Sequence, residues 1–350
     1  MADTPPDPLP AAATAVGSMP GTDVREAVAV VVGELGQGDG VPHLPELPAR
    51  GPGADLVGRT AGLLAAVSPD LAVETTPTGW RFADAPGREA RRAASWLGED
   101  LDAWEEALTG FRGRVDASLA GPWTLAATVE LRSGERAVRD PGACRDLAEA
   151  LAAAVADHVA ELRRRLPGAR IGLWLDEPAL PAVLAGSLPT RSGLGRLAAV
   201  DDPVVEAGLR TVLDAIRAAG AEPVVHCCAE RPPYDLLVRS GAAAVSVDLT
   251  RHDRRDDDAV GELVEAGRVL VAGVQDPTGP AASPVGASVG LVQDLGHRLG
   301  HGPEATASWV QVSPTCGMAG ASPARARATL ERLREVGRAL RDEEPDRGEG

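Results

Sequence analysis

Short apolar runs alternate with amphipathic helical stretches along almost the whole of this 350-residue chain, and that alternation constrains the fold more than any other feature. The runs are "TAVGS" (14–18), "VPHLPEL" (41–47), "VDASLAG" (115–121), "IGLWLDE" (171–177), "PVVHCC" (223–228), "AVSVDLT" (244–250), "VLVAGV" (269–274) and "WVQVSP" (309–314). Stretches such as "DVREAVAVVVGEL", "DLAEALAAAVADHVAELRRRL" and "VVEAGLRTVLDAIRAAG" separate most of them, with apolar residues at helical spacing. Short strands buried on both faces, each followed by a helix, belong to a parallel sheet. Eight such units predict an α/β fold, a (β/α)8 TIM barrel, with an oversized connection over 52–110 after the second strand that passes over one barrel face. An open doubly wound sheet is the alternative.

A Pro- and Ala-rich segment at 1–12 and the charged "RDEEPDRGEG" at 341–350 lack periodicity and read as disordered tails around a single catalytic domain at 13–340. The Gly/Pro-rich patches inside that domain read as loops, because regular elements resume directly after each.

Composition removes several function classes. A net charge of −16 leaves no basic stripe for nucleic acid. The chain contains no lysine and no asparagine, so neither a Schiff-base lysine nor a P-loop lysine is available. No run approaches the ~20 apolar residues of a membrane span, and the first residues lack a signal peptide's basic and apolar regions, so a cytoplasmic protein is expected. In a reducing compartment Cys144, Cys227, Cys228 and Cys316 read as thiols rather than disulfides.

Active sites of such barrels sit at the C-terminal ends of the strands. There this chain places Ser18, Glu46 (with His43 before it), Asp176 and Glu177, His226 and Cys228, Asp248, Asp276 and Cys316. Side chains alternate along a strand, so His226 and Cys228 share one face and Cys227 takes the other. One imidazole, two thiols and a carboxylate at neighbouring strand ends form a ligand set suited to Zn²⁺. Each residue also has a plainer reading. Ser18 could cap the helix near Asp23, and Asp176 with Glu177 could cap a helix start. Cys227 and Cys144 read as buried thiols, and His43 fits either a packed histidine or a substrate contact.

Five motifs in order, "VGSMPGT" (16–22), "LDEPAL" (175–180), "HCC" (226–228), "VSVDLT" (245–250) and "SPTCGMAG" (313–320), resemble the C-terminal catalytic barrel of the cobalamin-independent methionine synthase family. The resemblance implies a zinc-dependent methyltransferase, similar to 5-methyltetrahydropteroyltriglutamate–homocysteine S-methyltransferase, that methylates the homocysteine thiol to give methionine. It carries the zinc ligands to His226, Cys228 and Cys316, and places Asp248 where the family has a glutamate. It carries the homocysteine contacts to Ser18, Glu46 and Asp176. The implied donor is a methyl-folate or a methyl-corrinoid, the latter brought by a corrinoid protein. The family's G-P-V-T motif is altered here to "GPWTLAATVE" (121–130), with Trp123 inside it and no tryptophan a few residues downstream. Two other readings stand beside this one: a related zinc-dependent alkyltransferase for another thiol, and a barrel that binds zinc or a thiol without turnover.

Overall fold

The computed structural model describes residues 11–38, 40–279 and 281–342. Six parallel strands run side by side: β3 (Arg114–Ala120), β5 (Arg170–Asp176), β6 (Glu222–Cys227), β7 (Ala244–Asp248), β8 (Val269–Gln275) and β9 (Val310–Pro314). Each of the corresponding sequence runs lies within two residues of its strand at either end. Two small strand pieces, β1 (Val73–Thr76) and β2 (Gly79–Phe82), form an antiparallel hairpin in the long connection, and β2 adds in parallel to β4 (Val129–Glu130).

The remaining two wall segments are irregular, yet they close the sheet. Thr14 N donates to Val312 O at 2.9 Å and Val41 N to Ala13 O at 2.8 Å. Leu44 N donates to Asp116 O at 2.8 Å, and Asp116 N to Pro42 O at 3.0 Å. The chain around 11–18 thus joins β9 to the chain around 40–46, which in turn joins β3, and the wall has eight staves. Both staves appear as isolated bridges instead of regular strands, and in the second, prolines at 42 and 45 cannot donate to a ladder.

Helices fill the outer layer. They are α1 (Val24–Leu35), α2 (Leu56–Val67), α3 (Arg88–Ala107), α4 (Pro122–Thr128), α5 (Pro141–Arg165), α6 (Leu180–Leu184), α7 (Asp202–Ala218), α8 (Tyr234–Arg239), α9 (Asp257–Glu265), α10 (Val285–Arg298), α11 (Pro303–Trp309) and α12 (Pro323–Asp342). Their starts follow local chemistry. Asp23 Oδ1 accepts from the Arg25 and Glu26 amides at the start of α1, and Asp140 Oδ1 from the Gly142 and Ala143 amides at the start of α5. The main core lies between helices and sheet, whereas Val16, Trp174, Val224, Ala244, Val269 and Val271 pack together inside the barrel.

The long connection is less of an excursion over the barrel face than its sequence suggests. Helix α2 packs against β3 and α5 in the helical layer, and α3 packs against α1 and α2. Of the tails expected at 1–12 and 341–350, residues 1–10 and 343–350 lie outside the described residues. Ala11 and Ala12 are fully buried in the wall, bonded to β9, and Arg341 and Asp342 still belong to α12. Among the described residues no helix is long and apolar enough to cross a membrane.

Candidate active site

The loops and strand ends at one mouth of the barrel bring the sulfur and imidazole groups together. Ligand atoms of His226, Cys228 and Cys316 all lie within 4.8 Å of one another, and the two sulfurs are 2.9 Å apart. His226 points inward from β6, and Cys228 follows one pleat later on the same side. Cys227, between them, is fully buried outside this group, with its thiol pushed up to about 12 by burial.

The donor set fits a metal ion. His226 Nδ1 lies 2.9 Å from Ser246 Oγ, while its Nε2 is buried and has no partner. A histidine whose one nitrogen is anchored presents the other in a fixed direction, as a ligand does. The contact between the two thiols lowers Cys316 from its ordinary range and raises Cys228. A thiol that ionises readily, beside a second thiol and an unbonded imidazole nitrogen, suits Zn²⁺.

Asp248 does not join the group. Its Oδ1 accepts from Thr250 N at 3.0 Å and Thr250 Oγ1 at 2.6 Å, and its Oδ2 lies 3.3 Å from Arg251 Nε. An aspartate is one methylene shorter than glutamate, and here its carboxylate turns back to cap its own loop. Asp276 does the same, accepting from Thr278 N and Oγ1.

The carboxylates beside the sulfur group divide into two kinds. Glu177 is fully buried and satisfied: it accepts from Trp123 N at 2.9 Å, Thr124 N at 2.7 Å and Thr124 Oγ1 at 2.8 Å, tying the start of α4 to the end of β5. A Cβ on Gly121 would lie 2.4 Å from that carboxylate, so only glycine fits. Glu46 and Asp176 are also buried, but Glu46 Oε1 and Asp176 Oδ1 have no hydrogen-bond partner. Burial raises Glu46 to about 7, against the opposing pull of Arg59. Burial raises Asp176 well above the usual range, with the neighbouring charges of Glu46 and Cys316 adding to it. Unpartnered buried acceptors are costly, and a cationic ligand with N–H donors relieves that cost.

Ser18 sits at the same mouth. Its backbone bonds Met318 N at 2.9 Å, and a Cβ on Gly317 would lie 2.1 Å from Ser18 Oγ, so the loop carrying Cys316 passes directly over it. Ser18 does not cap α1, since Asp23 does. The structure therefore gathers Ser18, Glu46, Asp176, His226, Cys228 and Cys316 at one mouth and leaves Asp248 at its edge. Trp123 is committed elsewhere: its Nε1 donates to Val205 O at 3.0 Å and its ring lies against Gly208 of α7. His43 is buried with neither ring nitrogen bonded, and burial lowers it to about 3. Cys144 lies within α5, raised to about 11 by burial.

Two contributors escaped sequence reasoning. Ser246 was legible, because it stands two residues before Asp248 on a strand and must share its face. Arg59, on α2, was not: its guanidinium lies 4.0 Å from Glu46 Oε1 only through tertiary packing.

A closed parallel barrel with a His–Cys–Cys group and buried carboxylates at the C-terminal mouth defines a barrel enzyme with a candidate metal centre. Residues 11–339 match the cobalamin-independent synthase catalytic domain, and the chain belongs to that family, a methyltransferase family of the methionine-synthase type. Among solved structures it is similar to a B12-independent methionine synthase from Shewanella sp. W3-18-1, in complex with selenomethionine. The identity is 13%, covering 95% of this chain and 98% of that one, with a TM-score of 0.63, a likeness of fold. It is more distantly similar to a GH5_18 protein from Streptomyces cattleya, at 14% identity, 96% and 82% coverage and a TM-score of 0.46. Among curated proteins, no relative matches by sequence.

Proposed function

We propose that this chain transfers a methyl group to the thiol of homocysteine, giving methionine, with zinc held by His226, Cys228 and Cys316. The observation that carries the reading is the pairing of two chemistries at one mouth: a soft ligand set, and two buried carboxylates with unpartnered oxygens. Homocysteine is a thiol and an ammonium on one short chain, and it needs both.

In this reading Glu46 and Asp176 receive the α-ammonium, and charge pairing restores both carboxylates to the ionised form. The Ser18 hydroxyl and nearby backbone amides receive the substrate carboxylate. These contacts aim the sulfur toward the ligand group and hold it for in-line attack on a methyl carbon. The sulfur's electron pair forms the new S–C bond as the methyl–donor bond breaks and leaves its pair on the donor; the thiol proton passes to solvent, and the demethylated donor takes up one proton in exchange. Zinc bound at His226, Cys228 and Cys316 would act as a Lewis acid that favours the thiolate at neutral pH. Asp248 stays on Thr250 and Arg251, so His226, Cys228 and Cys316 are the residues that would hold the metal.

For the donor we propose a methyl-folate, in keeping with the family; the match lends no support to a corrinoid protein. Trp123 is unavailable to stack a pterin, so another surface must do so. The test is a panel of thiols and donors on zinc-loaded protein, with products read by mass spectrometry. Methionine from homocysteine and methyl-folate is expected. Methylation of another thiol but not homocysteine would move the substrate, and turnover only with methylcobalamin would move the donor.

A further inference from the structure

The long connection at 52–110 delivers two charged side chains to the substrate end of the site. Arg59 of α2 is 3% exposed. Its Nη2 donates to Pro45 O at 3.0 Å and pairs tightly with Asp100 of α3. Its Nη1 lies 4.0 Å from Glu46 Oε1, too far for a hydrogen bond and near enough for strong attraction in a buried setting. Neither of those two atoms has any hydrogen-bond partner. Asp100 in turn is held by Arg50 Nη1 at 2.7 Å. The row Arg50, Asp100, Arg59, Glu46 thus runs from the edge of the domain to the site.

We propose that Arg59 is a positioning residue for substrate binding: it holds the Pro45–Glu46 backbone in place and favours the Glu46 carboxylate anion that receives an amino acid's ammonium group. The long connection then has a job, to carry Arg59 and Asp100 to that position. This rests on the reading of Glu46 as an ammonium contact. In this role Arg59 stands behind Glu46 and acts through it and through the Pro45 carbonyl.

The charged groups facing Glu46 come from three elements. Arg59 and Asp55 belong to α2 and its cap, Asp100 to α3, and Asp176 to β5. Arg50 lies beyond Asp100, and His158 of α5, buried and lowered to about 4, lies near Arg59. Arg59 favours the Glu46 anion, whereas Asp55, Asp100 and Asp176 oppose it. Removing Arg59 therefore raises the pH below which Glu46 is neutral, and removing the Asp100 charge lowers it.

The experiment is the pH profile of kcat/KM for homocysteine in the zinc-loaded wild type, Arg59→Gln, Arg59→Lys and Asp100→Asn, with bound zinc measured in each. Substrate and metal titrations are common to all four proteins, so differences between profiles report the groups that feel Arg59 and Asp100: Glu46 at the site and His158 behind it. In Arg59→Gln the acid limb should move up by about one pH unit, with KM at pH 7 raised ~10-fold, kcat within about twofold and zinc unchanged. Arg59→Lys should restore most of the shift by restoring the charge. Asp100→Asn should move the limb the other way, a pair of opposite signs that mere structural damage does not produce. Arg59→Gln with an unmoved limb overturns the inference. If that variant fails to fold, an unmoved or raised limb in Asp100→Asn overturns it instead. A wild type that neither binds nor methylates homocysteine overturns the functional reading, and this inference with it.

Discussion

At the residue scale the proposed metal site depends on which way three adjacent side chains point. In "HCC" the outer two face the mouth and the middle one packs behind the sheet, as period-2 alternation requires. Cys227→Ser should therefore retain bound zinc at wild-type stoichiometry, while Cys228→Ser should lose it; the reverse result in a metal assay would place the strand the wrong way round. Ser246 anchors His226 Nδ1, and such partners of a ligating histidine typically govern metal affinity by 10- to 100-fold. Competition with a chelator should show Ser246→Ala releasing zinc at least ~10-fold more readily than wild type, and Ser246→Thr close to wild type. Equal affinity in the alanine variant would mean the 2.9 Å contact does not orient the ring. The facing of His226 and Cys228 was legible in the sequence because alternation along a strand is geometric. The disposition of Asp248 was not, because its choice of Thr250 over the metal group depends on how the loop after β7 folds back.

At the element scale Glu177 fastens the start of α4 to the end of β5. Burial raises its carboxyl to about 7 from an ordinary 4.5, against the opposing pull of the Trp123 and Thr124 donors. The sign follows: the stability this group contributes is full below about pH 4.5 and is lost as pH rises through about 7. Metal-free wild type should thus lose stability to urea between pH 5 and 8. Glu177→Gln should flatten the slope by an amount on the order of 3 kcal/mol. A variant whose slope matches wild type would show that Glu177 stays ionised in the fold. The strands β3 and β5 to β9 were legible as apolar runs. The second closing stave cannot form a full ladder because of Pro42 and Pro45, and short α4, α6 and α11 carry too few residues for a periodic signal.

At the scale of the whole molecule the barrel is plugged by polar side chains. Thr14 Oγ1 donates to Asp116 Oδ2 at 3.0 Å, and Arg114 bridges Asp116 Oδ1 at 2.9 Å and Glu222 Oε1 at 2.8 Å. This network ties the first stave to β3 and β6 across the interior. Asp116→Ala strands Arg114 with only Glu222, and breaking a buried pair in this way costs about 3–5 kcal/mol. Chemical denaturation should report that loss, whereas zinc content at low temperature should not change; a loss below about 1 kcal/mol would mean the plug is hydrated rather than buried. The barrel itself was legible from alternating runs and helices. The route of the long connection was not, because α2 enters the helical layer through contacts with α5 that leave no local pattern.

The central claim is that methyl transfer to homocysteine depends on metal held by His226, Cys228 and Cys316. The most direct test measures methionine formation against bound zinc in the wild type and in Cys316→Ala, as metal is removed by chelation and restored. The rate should fall in proportion to bound zinc, return on reloading, and be absent from Cys316→Ala, which should not hold zinc at full stoichiometry. Methionine formed at an undiminished rate by metal-free protein, or full zinc retained without Cys316, would contradict the account.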